Sequence, residues 1–566
     1  MEMVGRVVRD EAHKMKSDQV TLQIISNSLL YASEEMGLAL RNSAYSPNIK
    51  ERMDHSAAIF DPAGRLIAQA EHIPVHLGSL PWGLRNLIDY CAREGIGLEQ
   101  GSMVVANNPY ITGTHLNDVT LAAPIHHRGE LVAFAVNKAH HSDVGGEVPG
   151  SISVNARTLQ DEGFVLEPTL LWKNRDFIEP VVEKFASASR TPIERRGDLK
   201  AQVAANVTGA RRVQELIQKY GLESFRLAIA HSLRHSEWLS RERIAKFRQG
   251  TYNATDFLEG PEEDLVLKAR IYVSSSGIYI DYSGTSSEVE YPLNAVFGVT
   301  LSGAYFVLRC LLGDDIPANH GAFAPVKVYA PRGTILNPTY PHPVGGGNVE
   351  TSQRNADVIF RALSSAAQHR VPAAAGGSMN NVMIGGVRGG SSWAFYETIG
   401  VGLGGTWSRD GIDGIQANMT NTMNTPIEEI ERTLPIRMVK YEFRPDSSGA
   451  GEFRGGSGLI RAYEALSDGT TFTVLADRER HQPWGLKGGR PGSGTEVILE
   501  STRKRRRVNS KCTLTLAMGD IVVIKTAGGG GYGSPRARSR SMIREDIKNG
   551  FLNSAKARLE YGRRAR

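Results

Sequence analysis

The chain has only three cysteines in 566 residues, Cys91, Cys310 and Cys512, and no Cys-x-x-Cys spacing, which excludes a disulfide framework and a thiolate zinc site. That usage fits a reducing cytoplasm. Apolar runs of roughly 18 residues are also missing, and Met1 to Lys16 is charged with no apolar signal core, so neither a membrane partner nor secretion is expected. No GxxxxGK followed by Ser or Thr occurs, nor a GxSxG elbow, nor an HExxH helix. The glycines Gly528 to Gly531 could cradle a phosphate, but Lys525-Thr526 precedes them instead of following, so the signal is weak and the cofactor-binding residues stay unassigned. An ATP site, if the chemistry needs one, falls to another chain.

Charge of one sign is scarce as well. The formal net charge is +6, and the basic residues gather in Arg503 to Arg507 and from Arg536 onward. No aromatic residue interleaves the run Arg503-Lys504-Arg505-Arg506-Arg507, which reads as a solvated hairpin tip, so no nucleic-acid partner is expected. What is abundant is glycine: 60 residues exceed the usual share of about 7% and predict a β-rich chain with many tight turns.

The stretch from Gly113 to Gly150 concentrates the chemistry. Two strand-like runs, Val119 to Ile125 and Glu130 to Val136, are joined by His127-Arg128-Gly129, which predicts a β-hairpin. Pairing about that turn makes partner numbers sum to 257 or 258, so Asp118 faces Ala139 or His140. His115 lies three residues before Asp118, where the chain can bend, and could give a third ligand. Two imidazoles and a carboxylate with open positions, His115, Asp118 and His140, suit a catalytic Zn²⁺, Mn²⁺ or Fe²⁺ better than a closed structural site. The alternative is ordinary solvated or hydrogen-bonded groups at strand ends. His141 and Asp143 follow at once, and His141 is the other candidate for the ligand position.

Elsewhere, apolar residues at helical intervals from Asp18, a candidate N-cap, to Pro47 predict a long, mostly buried helix. A second hairpin follows, with Glu51 and Asp54 at its mouth. His72-Ile73-Pro74-Val75-His76 has the i, i+4 spacing of helical zinc motifs, but Pro74 favours extended chain, and core histidines are the plainer reading. A helix is expected near Pro81 to Glu94. Arg190 to Gln249 is strongly helical. His342 to Ser352 is a glycine loop leading into a helix, suited to anions but read more simply as a turn. The fold class is α+β: a β-rich, multi-lobed chain with a helical N-terminal half and a largely antiparallel C-terminal lobe. Four segments are expected: 18–250 with the candidate metal site, 251–435 of mixed elements, 436–535 rich in strands, and a basic terminal helix over 536–566.

The segments His115-Leu116-Asn117-Asp118-Val119-Thr120, His140-His141-Ser142-Asp143-Val144-Gly145-Gly146 and Pro149-Gly150-Ser151 resemble the hydantoinase B / oxoprolinase family. The likeness runs from about Asp18 to Tyr561. It departs at Asn108, where many relatives carry Asp, so no anionic ligand is expected there. The resemblance implies a hetero-oligomer with a hydantoinase A-type ATPase subunit, which holds ATP and Mg²⁺ and phosphorylates a carbonyl or enolate oxygen. It also implies a metal-dependent enzyme subunit that opens a cyclic amide such as a hydantoin, a lactam or 5-oxoproline. His141 or Asp143 is then the expected general base. A subunit of an ATP-dependent ketone carboxylase and a noncatalytic scaffold for the ATPase are the alternatives.

Overall fold

A computed structural model describes residues 2–70, 72–501 and 504–562, with side chains from Asp18 onward. Its N-terminal part is built on a seven-stranded sheet of β1 (His55–Phe60), β2 (Leu66–Ala70), β3 (Met103–Ala106), β4 (Asp118–His127), β5 (Glu130–His140), β6 (Thr169–Lys173) and β7 (Asp176–Phe177). The strand order is β2-β1-β5-β4-β3-β6-β7, and every neighbouring pair is antiparallel.

The period of two along each strand decides what each face meets. On one face Ala57, Ile59, Leu121, Ala123, Ala133 and Ala135 pack in the same core as α1 (Glu2–Ser43) and α3 (Pro192–Tyr220). On the other, Ala58, Phe60, Ala122, Phe134 and Val136 pack against Leu80, Leu84 and Leu87 of α2 (His76–Glu94). The α+β class therefore holds, and its N-terminal half is a helix–sheet–helix stack. Helix α1 begins at Glu2, so Asp18 lies inside it and caps nothing, while Pro47 opens a separate short helix, Pro47–Lys50.

Next comes a four-stranded sheet of Gly250–Glu259, Asp264–Ser274, Gly277–Asp281 and Val326–Tyr329, accompanied by helices Phe297–Leu312 and Ser352–Leu363. The C-terminal part holds two wholly antiparallel sheets. One of them pairs Asn381–Arg388 with Thr470–Leu475, so strand pairing crosses the boundary expected at 435. The basic run sits at a hairpin as expected: Arg505–Val508 is an edge strand whose Arg505 and Arg507 pair with Glu500 and Glu479, and Arg503 lies outside the described residues. The terminal segment is two helices, Arg540–Lys548 and Ser554–Tyr561, broken at Gly550 (φ 78°), and Ile543, Ala557 and Tyr561 pack against Ala450 of the same chain.

The glycines Gly528–Gly531 are interleaved backbone rather than a cradle. Their amides donate to Ser493, Gly456, Ala374 and Arg490 carbonyls, which leaves none for a phosphate. Among the described residues no helix is long and apolar enough to cross a membrane.

Candidate metal centre

The hairpin turn Arg128-Gly129 has positive φ at both residues (51° and 84°), the geometry that suits the twist of paired strands. From Ile125 outward the partner numbers sum to 258, so Asp118 pairs with His140, and one register shift near the turn accounts for the alternative sum. Asp118 and His140 both point to the α2 face. His115 sits in the turn before β4, and its carbonyl accepts the Asp118 amide at 3.0 Å.

Three atoms converge there. His115 Nε2 lies 3.1 Å from His140 Nδ1, and each is 3.2 Å from Asp118 Oδ1. A cation about 2.1 Å from three N and O ligands holds them roughly 3.0–3.4 Å apart, so the triangle has the size of one face of a coordination shell. The residues enclose a cavity of about 20 Å³, the space of a single ion or water. All three are fully buried, and among the described residues they are the group of His, Cys, Asp and Glu with metal-holding geometry. The donor set of two nitrogens and a carboxylate fits a divalent Zn, Mn or Fe ion.

Electrostatics prepare the same site. Burial pushes His140 and His76 below the ordinary imidazole value, keeping them neutral and able to donate a lone pair. Burial also opposes charge on Asp118, but His115, His140 and His76 outweigh it and hold the carboxyl well below its usual range. His115 is drawn toward the protonated form because Asp118 overrides its burial.

Two further groups face the cavity. His76, at the first turn of α2, places Nε2 3.4 Å from Asp118 Oδ2 while its Nδ1 lies 2.8 Å from Ser56 Oγ. Asp54, just before β1, has Oδ2 3.9 Å from His140 Nδ1. Pro74 does not force extended chain through His76, because it lies just ahead of the helix start, where its missing N–H costs nothing. His72 stays apart, 3.6 Å from Glu34. Parity marked Asp54 in advance: β1 pairs with β5 at His55–Ala139, which puts Asp54 and Ser56 on the His140 face.

The rest of the cage comes from far along the chain. The Tyr396 ring stacks on His140, with centroids 4.6 Å apart and planes at 15°, and its hydroxyl donates to Asn381. Asn348 lines the cavity from a π-helical turn, Gly347–Thr351, and its buried Oδ1 has no partner. The loop ahead of that turn does bind an anion, one of the chain's own: Val344 and Gly345 amides donate to the buried Glu162 carboxylate at 3.0 and 2.7 Å.

His141 and Asp143 are not brought to the cluster. His141 is turned to the α3 face, where Nε2 meets Gln202 Oε1 at 3.0 Å and the ring packs edge-on to Phe185. Asp143 is consumed by Arg190 Nη1 at 2.9 Å and by the Gly145, Gly150 and Arg190 amides. Neither position supports the general-base role expected from the sequence.

The model of a family described as Hydantoinase B/oxoprolinase matches residues 18–535. The chain is 34% identical to the 5-oxoprolinase of Dictyostelium discoideum over 91% of its own length but only 40% of that protein. A putative B-type subunit of a D-/L-hydantoinase from Pseudomonas sp. (strain NS671) is 31% identical and matched nearly end to end, 97% of this chain and 95% of that one. Among solved structures, the ATP-dependent caprolactamase of Pseudomonas jessenii superposes with a TM-score of 0.89 at 28% identity, covering 96% of both chains.

Proposed function

The chain belongs to the hydantoinase B/oxoprolinase family, and from that membership we propose that it is the metal-containing subunit of an ATP-dependent enzyme that opens a cyclic amide. The observation that carries the reading is the buried triangle of His115, Asp118 and His140, with sides of 3.1–3.2 Å, in a chain whose relatives are named for cyclic-amide hydrolysis. Those three residues would hold a divalent Zn, Mn or Fe ion. When bound, the ion supplies Lewis acidity toward a carbonyl and toward water.

The ATPase function is placed on a separate hydantoinase A-type subunit. The 5-oxoprolinase relative is far longer than the match, and the hydantoinase relative is matched end to end, so the activating part is carried in cis in one case and in trans in the other. Phosphorylation of the amide oxygen makes a poor electrophile reactive; water then adds to the carbon and the C–N bond breaks. This chain's residues orient and exclude. His76 and Ser56 fix the Asp118 carboxylate, Tyr396 covers His140, and Asp54 is the group placed to accept the proton that the attacking water gives up.

The test pairs elemental analysis with turnover of the assembled enzyme on 5-oxoproline, hydantoin and caprolactam. His115→Ala, Asp118→Ala and His140→Ala should each lose metal at least 10- to 100-fold, the range typical of supporting groups, and lose turnover with it. His141→Gln and Asp143→Asn should keep the metal. An assembly that fixes bicarbonate onto a ketone and leaves amides intact would put the carboxylase reading in its place. Full turnover after Asp118→Ala would reduce the chain to a scaffold.

A further inference from the structure

Beside the metal cage lies a second, larger chamber of about 500 Å³. Its body is apolar, lined by Phe306, Phe360, Leu403, Ile412 and Trp484. It shares a wall with the cage: Thr420 lines both, and Pro74 faces the chamber while its neighbours Ile73 and Val75 face the cage. The two strips that form this wall are joined by the Val75 amide donating to the Met419 carbonyl at 3.3 Å.

The charges around the chamber do not cancel. Asp410 lines it, but both of its oxygens accept from Arg538, at 2.7 and 2.8 Å. Asp357 is held by Arg478 at 2.5 Å and by Asn418 at 3.0 Å. Arg370 and Arg409 are different. Both line the chamber and are exposed, and among the described residues neither pairs with a carboxylate; Arg370 gives one hydrogen bond, to the Leu311 carbonyl. The loops that carry them touch, His369 packing edge-on to Trp407 with centroids 5.7 Å apart. The chamber thus offers an apolar body and two uncompensated guanidinium groups, which recognise carboxylate and phosphate oxygens in a planar fork.

We propose that this chamber binds the substrate of the metal centre, and that its ligand is a small molecule with an apolar body and an anionic group, the anion held by Arg370 and Arg409 and the body laid along Phe306, Phe360 and Trp484 toward Thr420. The proposal rests on the reading of the cage as the reaction centre. The anion is either a carboxylate that the substrate carries or the phosphoryl group installed by the ATPase; the arginines accept both.

Calorimetry on the purified full chain, with phenyl phosphate, benzoate and benzyl alcohol as probes, tests it. At least one anion should bind tenfold or more tightly than benzyl alcohol, and Arg370→Gln/Arg409→Gln should remove that advantage without changing Tm or metal content, since both side chains are exposed. A preference for phenyl phosphate assigns the phosphoryl source, and benzoate binding as well or better assigns the carboxylate. The bound anion should also slow alkylation of Cys310, which lines the chamber. Equal affinity for the alcohol, undiminished anion binding in the double variant, or unprotected Cys310 would each overturn the proposal. The same titration in His115→Ala separates the two readings: anion binding that persists there leaves the chamber standing even if the metal assignment falls.

Discussion

His140 and His141 are neighbours in sequence and lie on opposite faces of one sheet, so a single unit of register decides which reaches Asp118. The sequence supplied the hairpin, its turn and the two possible pairing sums; the 258 sum, set by the two-residue turn with its nearby bulge, puts His140 opposite Asp118. What parity could not reveal was the use of His141. Burial against α3 pushes its imidazole down to about 4, below the unfolded value near 6.5. Between those values the unfolded chain takes up a proton that the folded chain refuses. The stability from neutral His141 is therefore complete above pH 6.5 and is lost as the pH falls toward 4, a difference of about 3 kcal/mol at most. Wild-type Tm should drop more steeply than that of His141→Gln over this window. Parallel curves would show that the ring is not buried as a neutral group.

At the scale of elements, the sequence displayed periodicity and turns well and boundaries poorly. Helix α1 passes through Asp18 because a cap residue terminates a helix only where the preceding chain leaves it. The glycine-rich tail was legible as turns, whereas its real use is close approach of backbones from segments hundreds of residues apart. A Cβ on Gly530 would overlap the Trp484 carbonyl, and Gly530 also donates to Ala374, so this layer supports the chamber wall. Gly530→Ala should cost about 3 kcal/mol or more, since neither backbone can retreat. Gly389→Ala, in an open hairpin turn with φ 57° and nothing within 4 Å of an added Cβ, should cost about 1 kcal/mol. Chemical denaturation of the two variants compares them directly; equal losses would mean the glycine layer is not close-packed.

For the whole molecule, the cage closes only when the N-terminal sheet meets residues 348–420, a junction that no local pattern encodes. Arg52 is the clamp at that junction. It is fully buried and stacks 4.8 Å from the Tyr396 ring centre, and it donates to the Tyr396 and Met423 carbonyls, to Thr398 and Thr422, and to Asn48 on its own side. Tyr396 in turn covers His140, so the guanidinium supports a metal ligand that it never touches. Arg52→Ala leaves several buried acceptors unpaired and should lower stability by about 3–5 kcal/mol. Arg52→Lys keeps the charge but loses the planar fork, and should fall between the two. If the clamp shapes the cage, metal affinity falls in the same order as Tm, wild type above Arg52→Lys above Arg52→Ala, when each protein is titrated well below its own Tm. A variant with reduced Tm and unchanged metal affinity would show instead that the triangle of His115, Asp118 and His140 is set by the hairpin alone.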